Sequence, residues 1–245
     1  MANILERYGI KEVADVVFYE IDDTGKPGAP VLYLDTLKVS TTEQTAENTS
    51  ARGGKGNPEL IMWDYNKEIT VNLEDALFSM RSLAVMYGSE VASQTEIMKT
   101  VFVKDIDADG KIHTQAGDIV VADCDPAYYT VDGQASSAGA EDAMYVTIKI
   151  PVSGQEIVIT PQAFPKTYYV TGDTYARSDI NGEDEMFQFI IPKAKVLSEV
   201  TLTMEAEGDP STFSMNLKVL RSAEGQMMKL VKYKLGAPEG EGDNT

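Results

Sequence analysis

The chain has 245 residues, 43% of them hydrophobic, which is enough to bury a sizeable core in one β-rich domain. Its 39 acidic and 21 basic residues leave a net charge of −18, which repels phosphate and disfavours a protein that grips nucleic acid by its backbone. A single cysteine, Cys124, rules out an internal disulfide and reads as a small packing residue, and no apolar run approaches the roughly 20 residues that a membrane-spanning helix needs.

Met1 to Tyr8 carries Glu6 and Arg7 with no apolar core behind them, so no signal peptide is expected. The expected setting is a cytoplasm in which the chain is made and stays soluble, and its acidity serves that solubility. The same acidity suits the wall of a channel through which DNA passes without sticking.

Period-two alternation dominates the chain. Val13 to Ile21 reads as a strand, Asp22-Asp23-Thr24-Gly25 as a turn, and Val31 to Val39 as the second strand of a hairpin. Thr41 to Pro58 then breaks the pattern with Thr, Glu and Asn, ending in Ala51-Arg52-Gly53-Gly54-Lys55-Gly56-Asn57-Pro58. A polar connection this long is uncommon inside a compact domain unless it has a role or is disordered, and an extended hairpin arm that orders on a neighbour fits it.

Leu60 to Trp63 and Glu68 to Ala76 read as strands, the latter with Ile69, Val71 and Leu73 on one face. Ser79 is an N-cap for a short helix filled by Leu83, Val85, Met86 and Tyr87, and Gly88 fits its left-handed stop. Lys99 to Ile106 is a strand, Asp107 to Gly110 a turn, and Lys111 to Val121 continues in β character. Gln134 to Glu141 reads as a small polar loop. Met144 to Val152 and Glu156 to Thr160 read as a hairpin around Ser153-Gly154-Gln155. Tyr168 to Val170 is a short strand, and Asn181-Gly182 marks a turn before Met186 to Ile191. Glu199 to Ala206, Thr212 to Leu220 and Met227 to Leu235 read as a three-stranded meander turning at Gly208-Asp209-Pro210 and Ala223-Glu224-Gly225. Residues 236–245 form a polar tail. The reading is mainly β, with one short helix covering a sheet or barrel.

Motifs that carry chemistry are sparse. Asp105, Asp107 and Asp109 alternate before Gly110 like the start of a calcium loop, but the twelfth position is Ala116 where a bidentate Glu belongs, and the flanks read as strands. A tight turn explains the same residues, with a weak calcium site as the lesser alternative. His113 is the only histidine, which removes any multi-His zinc site or His-based triad, and it reads as solvent-facing. Ala51 to Gly56 lacks the strand–GxxxxGK[ST]–helix context of a phosphate loop. It reads either as a basic tip that pairs with an acidic neighbour or as a solvated glycine loop. The carboxylates Glu74 and Asp75, and Glu183, Asp184 and Glu185, read as charged faces with no cleft marked around them. Trp63, beside Asp64-Tyr65, suits a sugar-stacking platform, an interface anchor, or a core or barrel-end residue. Met204, Met215, Met227 and Met228 read as packing. No catalytic constellation and no cofactor motif is found.

Two stretches together resemble the tail tube proteins of long-tailed bacteriophages and related injection systems. The first is Lys55 to Gly88, with its Trp63-Asp64-Tyr65 step, the Leu73-Glu74-Asp75-Ala76-Leu77 segment and the serine-capped helix. The second is Phe187 to Leu220, where a strand ending in Ile191-Pro192 leads to a hairpin on Glu207-Gly208-Asp209-Pro210. The resemblance implies an antiparallel β-sandwich or half-barrel over residues 1–235, with a flanking helix and a long arm at 39–59. It leaves 90–181 as an insertion exposed outside.

It further implies six subunits per ring, whose inner sheets join into one barrel, and rings stacked into a tube that conducts DNA without binding it specifically. Six chains at −18 suit an electronegative lumen. Thr42, Glu43, Glu47, Arg52, Lys55, Asn57 and Trp63 are then expected at subunit and ring contacts. The implied partners are further copies of the chain and other tail proteins: a baseplate or initiator, a terminator, and a sheath if the tail contracts. The implied location is the virion tail, assembled in a bacterial cytoplasm without a membrane anchor. A contractile injection particle is the near alternative, and a β-sandwich carbohydrate module using Trp63 is the distant one.

Overall fold

A computed structural model describes residues 6–106, 111–114, 117–120, 125–127, 144–200 and 212–234. It is mainly β, with 61% of residues in strands and one short helix, and its strand pairings are antiparallel. Two compact units are present: residues 91–157 form one, and residues 1–90 with 158–245 form the other.

The larger unit begins with β1 (Tyr8–Ile10), β2 (Asp15–Ile21), β3 (Pro27–Leu34), β4 (Leu37–Arg52), β5 (Glu59–Asp75) and helix α1 (Met80–Tyr87). The smaller unit holds β6 (Val91–Ile106), β7 (Lys111–Thr114), β8 (Gly117–Val120), β9 (Asp125–Ala127) and β10 (Met144–Ile157). The chain then returns to the larger unit with β11 (Thr167–Ser178), β12 (Asp184–Val196), β13 (Phe213–Val219) and β14 (Lys229–Tyr233).

The larger sheet runs β3-β2-β11-β12-β13-β5-β4, with β1 added to β11 and β14 to β12. Its first and last strands are consecutive in sequence, since Leu34 ends β3 and Leu37 begins β4. Three Cα steps span at most about 11 Å, so the sheet curls until its two edges converge at that corner. There Thr36 Oγ1 donates to Asp75 Oδ1 at 2.5 Å, and Ala76 N donates to Thr36 O at 3.1 Å. The stretch expected as one strand from Val31 to Val39 is therefore two strands with a corner between them. Alternating residues of the curled sheet fill the core, among them Val16, Phe18, Val71, Leu73, Val170, Ile191 and Leu217. Phe18 and Tyr168 meet edge to face, and Val85 and Met86 of α1 join the same cluster.

The local signals for turns and the helix hold. Asp22 Oδ1 accepts from Thr24 N and Lys26 N, both at 2.8 Å, and Gly25 sits at φ 80°. In α1, Ser82 N donates to Ser79 Oγ at 3.0 Å while Ser79 N donates to Ser82 Oγ at 2.9 Å, a reciprocal cap. Gly88 closes the helix at φ 70°, and a side chain there would run into the backbone of Phe164.

Several expectations are corrected by pairing. Leu60–Trp63 and Glu68–Ala76 belong to one strand, β5. Met144 to Thr160 is not a hairpin: β10 runs through Ser153-Gly154-Gln155 against β6, absorbing one extra residue between Pro151 and Gly154. Pro151 lacks the N–H a regular ladder needs, which favours a bulge there. Lys111 to Val121 splits into β7 and β8, paired with each other. The expected pairing of the last two C-terminal strands with each other is not made; most of the first strand of that expected meander, Glu199–Ala206, lies outside the described residues. Strand β12 is 13 residues long, and one edge serves two partners: β14 on Met186–Ile190 and β13 on Ala194–Val196. Of the stretch 90–181 read as an insertion, residues 167–178 form β11, between β2 and β12 in the larger sheet.

In the smaller unit the order is β8-β7-β6-β10-β9. Asp105 lies near the end of β6, paired with His113 of β7. Asp107, Asp109, Cys124, the 134–141 loop, most of the Glu199–Ala206 segment with its following turn, and the 236–245 tail lie outside the described residues.

Candidate assembly interface

The polar stretch from Thr41 to Pro58 is not a loop. Strand β4 carries it outward as far as Arg52, and β5 returns, paired from Arg52↔Glu59 down to Leu37↔Asp75. Polar β-branched Thr41, Thr42, Thr45 and Thr49 hold strand geometry without needing burial. The turn at the tip uses Gly54 and Gly56 at φ 86° and Asn57 at φ 50°, and Gly53 N donates to Pro58 O at 3.2 Å. From Thr45 to Arg52 the two-stranded ribbon reaches about 23 Å, at about 3.3 Å per residue, before the turn at the tip. Thr41 to Thr49 and Glu59 to Glu68 are exposed throughout.

A bulge marks the root of this arm. Thr45 pairs with Glu68 and Glu47 with Tyr65, so β5 spends one residue more than β4, and Asn66 takes φ 49°. Asparagine tolerates that left-handed conformation better than most residues. The extra residue exchanges the two faces of β5. Ile69, Val71 and Leu73 face the core, opposite Gln44, Thr42 and Ser40. Strict alternation would continue that face through Tyr65, Trp63 and Ile61. The bulge instead puts those three with Glu47, Thr49 and Ala51, on the continuation of the outer face that holds Glu43 and Thr45. Met62 and Asp64, paired with Ser50 and Asn48, take the opposite side, and Leu60 is a second extra residue of β5, between Ala51↔Ile61 and Arg52↔Glu59. Leu60, Ile61, Met62, Trp63 and Tyr65 are 47–63% exposed, so neither side is covered.

Each sequence-predicted interface residue lies on this hairpin. Thr42 and Glu43 are at the root, on opposite faces, across from Val71 and Thr70. Glu47 and Trp63 share the outer-facing side. Arg52 Nη2 reaches Glu59 Oε2 at 3.3 Å near the tip, an exposed pair of small energetic weight. Lys55 and Asn57 are in the turn. Leu60, Ile61, Met62 and Tyr65 were missed as site residues. Their signal was a mismatch: an apolar run in one strand opposite a polar partner strand, which a shared core would not produce.

A model of the YomU/Tube protein family matches residues 8–230, nearly all of the larger unit's described strands and the whole arm. The chain belongs to the YomU/Tube protein family. It is thereby a phage tail tube family protein, as the two resembling stretches implied. A comparison with curated proteins finds no match.

Among the concavities of the larger unit, two flank the root of the arm and the end strands. One groove of about 450 Å³, at the arm root, is lined mainly by apolar side chains, among them Ile10, Ile69, Phe187, Phe189, Met228 and Leu230, with Ser40 and Thr42 from β4. The other, of about 430 Å³, is polar and holds Glu6, Tyr8, Glu185, Lys232 and Lys234. Glu185 is only 7% exposed and meets Lys232 Nζ at 2.7 Å and Lys234 Nζ at 3.2 Å. The hydrogen bond from Lys232 holds the Glu185 carboxyl below its ordinary range. The same bond, with one to Tyr8 Oη at 2.6 Å, pushes the Lys232 ammonium up. This cluster ties β1 and β14 to β12. It is an ion-pair clasp. Among the described residues no group of three or more His, Cys, Asp or Glu is placed to hold a metal ion. Among them, too, no helix is long and apolar enough to cross a membrane.

Proposed function

We propose that the chain is the repeating subunit of a phage tail tube, forming hexameric rings whose sheets join into one barrel and whose stacking makes a negatively charged conduit for DNA. The observation that carries this reading is the arm: a family member of the tube type extends a paired hairpin of about 23 Å with bare apolar side chains. Such a surface is costly in a free monomer and is satisfied when other copies cover it. The convergent edges of the larger sheet offer unpaired strands, and ring closure between subunits removes them. A net charge of −18 per chain favours passage of DNA over its retention. On this reading the protein assembles in the host cytoplasm, ends in the virion tail, and meets initiator and terminator proteins at the tube's ends.

Negative-stain electron microscopy of the purified protein, alone and with its tail initiator complex, tests the proposal. The expected result is hollow tubes or sixfold rings. Dispersed monomers under every such condition would overturn it. An arm-shortened variant, with residues 48–64 replaced by Asn-Gly to join the paired Glu47 and Tyr65 by a two-residue turn, is expected to remain folded and to form no tubes.

A further inference from the structure

We propose that the cleft between the β2–β3 turn and the β13–β14 loop is the docking site for the chain's own acidic C-terminal segment, with Glu241 and Asp243 reaching back to Lys26, Lys193 and Lys229. The contact is intramolecular and electrostatic. It uses no residue of the arm and does not depend on the tube reading.

The cleft has a volume of about 310 Å³. Lys26 lines it from the β2–β3 turn, Lys193 from β12, Glu224 from the loop after β13, and Lys229 from the start of β14. Arg221 lies against the same loop, where a side chain at Gly225 would meet its guanidinium at 3.5 Å. Local bonds fix both rims: Gly25 N donates to Asp22 O at 2.9 Å, and Ser222 N donates to Gln226 O at 2.8 Å. Among the described residues Arg52, Arg177, Lys218, Lys232 and Lys234 each pair with a carboxylate, whereas Lys26, Lys193, Arg221 and Lys229 make no ion pair. The carboxylate nearest to Lys26 in sequence, Asp22, is already engaged, accepting from Thr24 N, Thr24 Oγ1 and Lys26 N at 2.7–2.8 Å. Glu224 is the one carboxylate on the cleft wall. In a chain of net charge −18, four unpaired cations around one cleft mark a place for an anion.

Charge and chain length select the occupant. Residues 235–245 hold Glu239, Glu241 and Asp243 and no basic residue. From Lys229, where β14 begins, to Lys234 the chain advances about 17 Å, at about 3.3 Å per residue. Glu241 and Asp243 lie seven and nine residues beyond Lys234, a reach of up to about 23 Å and about 30 Å, so both span the return to Lys229. Gly236-Ala237-Pro238 supplies turn chemistry for the reversal, and Gly240 and Gly242 let the backbone between the carboxylates adapt. Exposed ion pairs are individually weak. A tether this short, however, holds the carboxylates at an effective concentration in the millimolar range, which favours the chain's own segment over the acidic surface of a separate molecule. Salt screens such a contact.

The test uses full-length protein. A water-soluble carbodiimide joins a carboxylate to a lysine amine in contact with it as an amide, the reagent taking up the released water to become a urea. In wild type at low salt, peptide mapping is expected to link residues 235–245 to the peptides that carry Lys26, Lys193 or Lys229. A blend of isotope-labelled and unlabelled subunits is expected to give these links without mixed pairs. The Lys218–Glu68 pair, held at 2.8 Å, is the internal standard for the reaction at low salt. The links from residues 235–245 are expected to fall at least about fivefold in about 0.5 M salt. In a second measurement, a dye on Thr245→Cys in a Cys124→Ser background reports fluorescence anisotropy. It is expected to drop in high salt and in the Lys26→Gln, Lys193→Gln, Lys229→Gln triple variant, and to be unchanged by Lys11→Gln with Lys38→Gln, two exposed lysines away from the cleft. Links spread over lysines elsewhere, links only between molecules, no links from residues 235–245 where the Lys218–Glu68 product forms, or an anisotropy indifferent to the cleft substitutions would overturn the docking. None of these results bears on whether the subunit forms tubes.

Discussion

The two halves of β5 share composition and differ in fate. Ile69, Val71 and Leu73 at the root are 7% exposed or less, whereas Leu60 to Trp63 in the arm are more than half exposed, although both segments are apolar and in one continuous strand. The difference lies in what stands beside them. At the root β5 has a partner on each edge, β4 and β13, and its inner face meets the opposite wall of the curled sheet. In the arm, among the described residues, it pairs with β4 alone and its side chains stay exposed. The root stabilises the subunit; the arm leaves its apolar surface exposed.

The contrast is broken most directly by truncating one residue in each half. Leu73→Ala removes a side chain buried to 1% exposure and is expected to cost about 2–5 kcal/mol in denaturant unfolding of the monomer. Met62→Ala in the arm is expected to stay within about 0.5 kcal/mol of wild type in the same measurement. Comparable losses at both positions would mean that the arm packs against its own body.

Glycines sharpen the same contrast with a smaller effect. Gly172 of β11 lies across from Phe189 of β12, and an added Cβ would collide with that ring. Gly172→Ala is expected to cost about 1–3 kcal/mol through overpacking of the body. At the arm tip, Gly54 has open space around it and φ 86°, so Gly54→Ala pays only the left-handed conformation, about 1–2 kcal/mol.

The smallest effect concerns the clasp of the two end strands. The carboxyl of Glu185 is lowered in the folded protein by Lys232, so its contribution is present above the unfolded value near 4.5 and is lost as pH falls through the lowered folded value. Glu185→Gln is therefore expected to lower the melting temperature at neutral pH. The gap to wild type should narrow as the pH drops below about 4.5, read by thermal scans across pH. A gap that persisted unchanged in acid would assign the effect to packing rather than charge.

The helix caps Ser79 and Gly88, the turns at Asp22–Gly25 and Asn181-Gly182, and the buried face of Ile69, Val71 and Leu73 were all legible, because each depends on residues close in sequence. The arm was legible as an anomaly: its length and polarity marked it, and its glycine and asparagine tip is a hairpin turn. What was illegible depends on distant partners. The expected pairing of β13 with β14 fails because of β12, whose length lets one edge hold both, a fact no segment carries by itself. The face of Trp63 was hidden for a similar reason. Odd-numbered apolar positions run from Ile61 to Leu73, interrupted only at Lys67, and pairing with β4 reveals the extra residue at Asn66.

Trp63 supplies the most direct test of the central claim, that the bare arm is the assembly surface. It is the only tryptophan in the chain and sits on the exposed arm, so intrinsic fluorescence reports on that one place. The free subunit is expected to show emission typical of a water-exposed indole and ready quenching by acrylamide, then a blue shift and loss of quenching once tubes form. Tubes in which Trp63 keeps the emission and quenching of the free subunit would contradict it.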